Sequence, residues 1–283
     1  MTPSGFPRLA GVMGWPISHS LSPAMHNAAY AAVGLNWHYT LLPVAPERLP
    51  DAVRGLAPLN FAGCNVTIPH KQAILPLLQR VTPAAAAIGA VNTVVVESDG
   101  TLTGHNTDVY GFLHALDDAG LELAGQTALV LGAGGGARAV AYGLLSRGAR
   151  LQLLARTQDR AIGLATDMAL HIPGAQIEVL RQPPARADLI VNCTPLGMWP
   201  NTEDSPLPAG LQLDAATTVM DLVYRPLETR LLAQARAAGG RAIGGLDMLI
   251  YQGAAAFELW TGQPAPVGVM RAAGRKAGGF DAD

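Results

Sequence analysis

Residues 129–139 read LVLGAGGGARA. An apolar run over residues 127–131 leads straight into glycines, and a helical pattern then continues to Arg147. The local order is therefore strand, tight turn, helix. Gly132, Gly134 and Ala137 fall on the G-x-G-x-x-G/A spacing of a dinucleotide-binding turn. Gly132 permits the sharp turn, Gly134 lets the backbone come close to a diphosphate, and a small residue at 137 lets helix and strand pack tightly. Ala133, Gly135 and Gly136 complete the loop. The unpaired N–H groups of the helix start and its dipole both favour an anion there. A glycine pattern alone is weak, but one placed between a strand and a helix predicts a nucleotide site.

The next strand, residues 150–155, addresses which nucleotide. It runs into Arg156-Thr157-Gln158-Asp159-Arg160. An NAD site places a carboxylate near this strand end to accept hydrogen bonds from the ribose 2′-hydroxyl. Here Arg156, Thr157 and Arg160 stand instead, and a guanidinium matches a 2′-phosphate in charge and fork geometry. The cofactor reads as NADP. The competing view makes both arginines solvated charges at the start of a surface helix.

A chain of 283 residues suits two domains. Its 49% hydrophobic and 14% charged residues supply ample core, and a net charge of −2 offers no general attraction to nucleic acid or an anionic membrane. Cys64 and Cys193 lie far apart on apolar strands and read as buried thiols in a reducing compartment. No Cys/His spacing suits a metal, residues 1–10 do not resemble a signal peptide, and there is no apolar run of about 20 residues. The expectation is a cytoplasmic protein with small-molecule partners, without nucleic acid or membrane, acting as a monomer or homodimer.

In chain order, residues 9–14 read as a strand, followed by a loop and a helix from Ser22 to Val33 with Ser22 as N-cap and Pro23 at its first position. Strands at 37–44 and 61–67 alternate with helices at 47–56, about 70–80 and 83–88. Residues 91–97 and 101–105 pair across Asp99-Gly100 as a hairpin. A helix over 108–118 leads into repeated strand–helix units with strands at 127–131, 150–155, 177–180, 189–193, 218–222 and about 241–243. Helices over 246–261 and 267–275 return to the first domain. The fold class is thus α/β with two domains. Residues 1–108 with 246–283 form a discontinuous substrate-binding and catalytic domain on a mixed, mostly parallel sheet. Residues 109–245 form a Rossmann-like, doubly wound NADP domain.

Outside the nucleotide turn, polar residues gather at strand ends. Ser18 and Ser20 sit two apart in a loop and can face one side, a good arrangement for a carboxylate. Thr67 to Lys71 join a strand end to a helix start, Asn92 opens a strand, and Asn106-Thr107-Asp108 precede the helix at 108–118. The blocks ISHSLSP (17–23), NVTIPHK (65–71), GAVNT (89–93), GHNTD (104–108), GAGGGAR (132–138), NCTPLGM (192–198), DLVY (221–224) with Pro226, and GLDML (245–249) leading to Gln252 resemble the successive signatures of shikimate dehydrogenases. They run in that family's order from about residue 11 to 253, and together they are very specific.

The resemblance implies reversible reduction of 3-dehydroshikimate to shikimate with NADPH, in the chorismate route to aromatic amino acids. It matches Lys71 to the family's acid–base lysine and Asp108 to the carboxylate beside it. Hydride loss from a secondary alcohol must be accompanied by loss of the hydroxyl proton to a base, and an amine beside a carboxylate has a coupled charge; the pair is taken as catalytic without dividing the work. The resemblance further implies that Ser18 and Ser20 hold the substrate carboxylate. Thr67, Asn92, Asp108 and Gln252 would hold ring hydroxyls, with Lys71 and Tyr224 at the same substrate. Thr194, Leu222, Gly245 and Met248 would join the glycine turn and arginines around the cofactor. His19 and His70 receive no role.

Two positions depart from the family pattern. Ala155 replaces an asparagine often found before the first arginine, and Asp247 stands where many members carry glycine. A quinate/shikimate dehydrogenase using NAD or NADP is the nearest alternative, opposed by Ser20 and Arg156. A non-catalytic NADP-binding sensor is the more distant one, opposed by Lys71 with Asp108.

Overall fold

The computed structural model describes residues 5–280. The chain divides into two compact units. One contains the described residues up to Thr107 and those from Ile250 onward; the other is Asp108–Leu249.

In the first unit, β1 (Arg8–Gly14), β2 (Trp37–Pro43) and β3 (Phe61–Val66) are joined by α1 (Ser22–Ala32) and α2 (Leu49–Gly55). A short α3 (His70–Ala73), β4 (Arg80–Val81), α4 (Pro83–Ile88), β5 (Thr93–Val96) and β6 (Leu102–His105) complete it. The six strands lie in the order β2-β1-β3-β5-β6-β4. β1 runs parallel to β2 and β3, the hairpin strands β5 and β6 are antiparallel, and β4 is parallel to β6. The sheet is mixed, as the alternation followed by an Asp-Gly turn requires: Gly100 takes φ +84°, and the Thr101 N–H donates to Asp99 Oδ1 at 2.9 Å.

One face of this sheet packs Met13, Cys64, Val66, Val91 and Val94 with Leu49, Val53, Ile74 and Ala85. Burial pushes the Cys64 thiol up to about 12. Alternation sends Gly63 and Asn65 to the other side. There the Trp260 indole N–H donates to the Val94 carbonyl at 2.9 Å, directly over Gly63. A Cβ at Gly63 would collide with both partners, so glycine is what admits the indole.

Two local readings need correction. The helix expected from His70 to Arg80 stops at Ala73 and gives way to a 3-10 turn, Leu75–Leu77, and then β4. Pro76 lacks the amide hydrogen that a continuing α-helix would use. The N-cap of α1 is Leu21 rather than Ser22, and the hydroxyl that accepts the Ser22 N–H belongs to Ser20, at 3.3 Å.

The second unit holds α5 (Asp108–Asp118), β7 (Thr127–Leu131), α6 (Gly135–Ser146), β8 (Arg150–Leu154), α7 (Gln158–His171) and β9 (Ile177–Leu180). It continues through β10 (Leu189–Asn192), β11 (Thr218–Asp221), α8 (Arg230–Ala237) and β12 (Arg241–Ile243). All pairs are parallel, in the order β12-β11-β10-β7-β8-β9. This is the doubly wound Rossmann order, with its switch point between β7 and β10. Its near-continuous apolar strands are buried on both faces, by Val130, Val140, Leu144, Leu164 and Met168 on one side and Leu129, Ile190, Leu231 and Leu232 on the other. Helix α9 (Leu246–Thr261) crosses the unit boundary at Ile250, and α10 (Val267–Gly278) packs along α1.

Among the described residues no helix is long and apolar enough to cross a membrane. Nor do three or more His, Cys, Asp or Glu side chains among them converge on a point that could hold a metal ion.

Candidate active site

In the nucleotide unit, the glycine turn sits at the carboxyl end of β7, beside the switch point. Gly132 has φ +106°, and a Cβ there would lie 3.2 Å from Thr194 Cγ2 and 3.5 Å from the Cys193 backbone. Glycine is therefore required both by conformation and by the close approach of the β10 loop. Gly134 is exposed, and a Cβ there would meet nothing within 4 Å. It is the N-cap of α6, whose first intrahelical bond is Arg138 N–H to Gly134 O at 3.0 Å. The N–H groups of Gly135, Gly136 and Ala137 thus open the helix without intrahelical acceptors. Ala137 is fully buried. The turn combines small residues, open backbone and helix-start donors, and it fits a dinucleotide diphosphate.

Arg156, Thr157 and Arg160 follow β8 and are exposed. Thr157 occupies the N-cap position of α7, so this cationic segment lies between the end of β8 and the start of that helix. Two arginines and a hydroxyl suit a phosphate monoester and leave no carboxylate to receive a ribose hydroxyl, apart from Asp159 inside the helix.

A buried network organises the neighbouring strand ends. Asp221 Oδ1 accepts from Asn192 Nδ2 at 2.9 Å and from the Val223 N–H at 3.0 Å, while Oδ2 accepts from Thr229 Oγ1 at 2.7 Å. Asn192 Oδ1 accepts from the Thr194 N–H at 2.9 Å and from its hydroxyl at 2.7 Å. Burial raises the Asp221 carboxyl above its ordinary range, against these hydrogen bonds. The network places Thr194 and Leu222 at adjacent strand ends, and Leu222 Cδ1 would be 3.6 Å from a Cβ on Gly136. A Cβ at Gly245 would strike the Leu222 carbonyl, so the two backbones touch. Met248 is buried in the core of this unit. Tyr224 follows β11, and burial pushes its phenol up. A hollow of about 270 Å³ lined by Gly125, Gly148, Arg150 and Pro173 opens at the amino ends of these strands and includes none of these residues.

In the first unit, the carboxyl ends of β1 and β3 lie side by side. The Thr67 N–H donates to Met13 O at 2.9 Å and the Trp15 N–H to Ile68 O at 3.0 Å. That pairing brings the Ser18–Ser20 loop and the Thr67–Lys71 turn to one edge of the sheet. Ser18 is exposed and Ser20 half-buried. The Ser20 N–H donates to Ile17 O at 3.1 Å, and its hydroxyl oxygen accepts from Ser22. An oxygen that accepts there directs its own O–H elsewhere.

Lys71 is half-buried, and its carbonyl accepts from the Val91 N–H at 2.8 Å, which ties it to the residue before Asn92. His70 is buried, with Nε2 at 2.7 Å from Val44 O, so its role is to anchor this turn. Asn92 is buried; its Oδ1 accepts from the Thr107 N–H at 2.6 Å, and its Nδ2 donates to Gln252 Oε1 at 3.3 Å. Five of the sequence-selected residues, Thr67, Lys71, Asn92, Ser20 and Gln252, are thus joined by backbone or side chain to a single edge of the unit. Asp108 is buried at the first turn of α5, directly after Thr107.

Sequence reasoning left Asn65, Thr93, Thr107 and Tyr39 without roles. All are buried and hydrogen-bonded to one another or to Asn92. The signal was present in Asn65, a polar residue inside the otherwise apolar strand FAGCNV.

Together these features define a two-unit α/β protein of the nucleotide-dependent dehydrogenase class: a switch-point diphosphate turn in one unit and a lysine- and amide-lined strand edge in the other. Residues 12–94 match the family model for the shikimate dehydrogenase substrate binding domain, and residues 245–273 match that for the shikimate 5′-dehydrogenase C-terminal domain. The chain is 51% identical to a shikimate dehydrogenase (NADP(+)) of Moorella thermoacetica, over 96% of this chain and 94% of that protein. It superposes with TM-score 0.88 on a shikimate dehydrogenase crystallised with NADP+, at 39% identity and covering 95% of each chain. A Thermus thermophilus enzyme in complex with NADP(H) and shikimate gives TM-score 0.84 at 42% identity, covering 95% of this chain and 99% of that one. The chain belongs to the shikimate dehydrogenase family.

Proposed function

We propose that this protein is an oxidoreductase that interconverts 3-dehydroshikimate and shikimate with NADPH, in the chorismate route to aromatic amino acids. The observation that carries this is 51% identity to an NADP(+)-dependent shikimate dehydrogenase across nearly the whole of both chains. In this reading the first unit takes the substrate and the second the nucleotide.

NADPH, when bound, supplies the hydride. The diphosphate is held at the start of α6 by the N–H groups of Gly135, Gly136 and Ala137, with Gly132, Ala133 and Gly134 shaping the approach. Arg156, Thr157 and Arg160 take the 2′-phosphate, and Thr194, Leu222, Gly245 and Met248 surround the nicotinamide end.

The substrate carboxylate accepts from the hydroxyls of Ser18 and Ser20. Ser20 suits this because its oxygen already accepts from Ser22, so its O–H is available for an anion. Thr67, Asn92 and Gln252 hold ring hydroxyls, and the family signature assigns Tyr224 to the substrate as well. During reduction the carbonyl carbon gains hydride while its oxygen gains a proton from the Lys71–Asp108 pair; oxidation reverses both transfers. The protein works in the cytoplasm on small molecules alone, as a monomer or homodimer.

The test is absorbance of NADPH on mixing the purified protein with NADP+ and shikimate, with quinate and NAD+ in parallel. NADPH formed with shikimate supports the reading. Turnover mainly with quinate or NAD+ moves the protein to the quinate-oxidising branch, and binding of NADP+ without turnover makes it a sensor.

A further inference from the structure

Tyr39 lies on β2 of the first unit and is buried. Its hydroxyl is 2.7 Å from Asn65 Oδ1. Asn65 Nδ2 is 3.3 Å from the Asn92 carbonyl and 3.0 Å from Thr93 Oγ1. A carbonyl can only accept, so the amide nitrogen of Asn65 must face Asn92, its oxygen must face Tyr39, and Tyr39 must be the donor. Thr93 Oγ1 accepts from Asn65 and is 3.2 Å from Asn92 Oδ1, to which it donates. The Thr107 N–H donates to that same oxygen at 2.6 Å. Asn92 Nδ2 therefore points the other way, to Thr107 Oγ1 at 2.9 Å and Gln252 Oε1 at 3.3 Å.

Two backbone groups, the Asn92 carbonyl and the Thr107 N–H, set the directions in this network, and the Tyr39 and Thr93 hydroxyls complete it. We infer that Tyr39 is a positioning residue for substrate selection: its hydroxyl locks Asn65 in place and, through Asn65 and Thr93, holds the carboxamide of Asn92, and with it Gln252, in the orientation that the backbone sets. Tyr39 is well suited to the task. Burial raises its phenol well above the ordinary range, so it remains a donor at any physiological pH. Its ring is held face to face against His26, with centroids 4.3 Å apart and planes at 1°. The inference rests on the proposed substrate role of Asn92 and Gln252.

The experiment compares wild type, Tyr39→Phe, Thr93→Val and Tyr30→Phe, with shikimate and with an analogue lacking one ring hydroxyl. Tyr30 is a control: it is buried beside the same rings, but its hydroxyl has no hydrogen-bond partner among the described residues. Wild-type turnover of shikimate is required first, and its absence defeats the functional reading rather than this one. Tyr39→Phe is expected to lower kcat/KM for shikimate about five- to thirtyfold, the range for losing one buried hydrogen bond. KM for NADP+ stays unchanged, and the loss on the deoxy analogue is smaller, so discrimination between the two substrates falls. Thr93→Val repeats the pattern, and Tyr30→Phe preserves discrimination. Equal losses on both substrates, a matching rise in KM for NADP+, or the same change in Tyr30→Phe would assign Tyr39 to packing alone and overturn the inference. Should Tyr39→Phe not fold, the Thr93→Val and Tyr30→Phe comparison decides the matter by the same criterion.

Discussion

His26 lies flat against Tyr39, ring centroids 4.3 Å apart, and neither of its ring nitrogens has a hydrogen-bond partner among the described residues. Burial alone pushes its imidazole down to about 3 from an ordinary value of 6.5. In that interval the unfolded chain binds a proton that the folded chain refuses. Stability is therefore lost as the pH falls from about 6.5 toward 3, with a contribution from His26 of up to about 1.4 kcal/mol per pH unit. Urea unfolding at several pH values across this range, on wild type and His26→Phe, measures it. The variant is expected to show the shallower decline; parallel curves would sink the assignment.

Lys71→Ala is expected to lower kcat by about 10²–10⁴-fold, the scale of a lost acid–base group. NADP+ affinity, measured by fluorescence titration, stays within about twofold, since removing one proton carrier leaves the diphosphate donors of α6 in place. A variant that keeps its turnover would move proton transfer away from this lysine.

Arg156 stands exposed after the end of β8, directly before Thr157 at the N-cap position of α7. Arg156→Ala is expected to weaken NADP+ by about 1.5–3 kcal/mol, the worth of a hydrogen bond to a charged group, with little change for NAD+. Kinetics with the two nucleotides side by side test this. Equal weakening of both would show that the guanidinium touches something other than the 2′-phosphate.

Gly132→Ala places a side chain at φ +106°, 3.2 Å from Thr194 Cγ2. The expected cost is about 1–3 kcal/mol of stability from backbone strain, read as a lowered urea midpoint, together with weaker NADP+ binding. Gly134→Ala, whose Cβ meets nothing within 4 Å, should retain the stability and lose nucleotide affinity. The contrast separates conformation from approach: if both variants lose stability equally, the second glycine is structural as well.

Much of the fold was legible because its signals are local. The apolar run into glycines, the Asp-Gly turn and the alternation of strands with helices each follow from a few adjacent residues, and the structure holds them. The helix drawn through Pro76 fails for a local reason that periodicity alone does not weigh, the missing amide hydrogen. The cap at Ser22 fails differently: a serine before proline is a good cap by type, but the helix start lies at Leu21, and the loop from β1 puts the Ser20 oxygen on the Ser22 N–H. Among the candidate site residues, those at strand ends were found by residue type and motif. Asn65, Thr93 and Tyr39 were passed over because nothing within a few residues shows that β2, β3 and β5 bring them together.

The sequence by itself determined where the chain turns, which stretch can face a diphosphate, where two arginines follow the next strand and which family's signatures run through it. These depend on backbone freedom, helix-start donors and side-chain charge, all carried by residues close in the chain. Only the tertiary structure decided the direction of the hydrogen bonds from Tyr39 to Gln252, the collision that makes Gly63 and Gly245 obligatory, and the neutrality of His26. Each depends on groups brought together from distant parts of the chain, where burial removes water and leaves a polar group only the partners that the fold supplies.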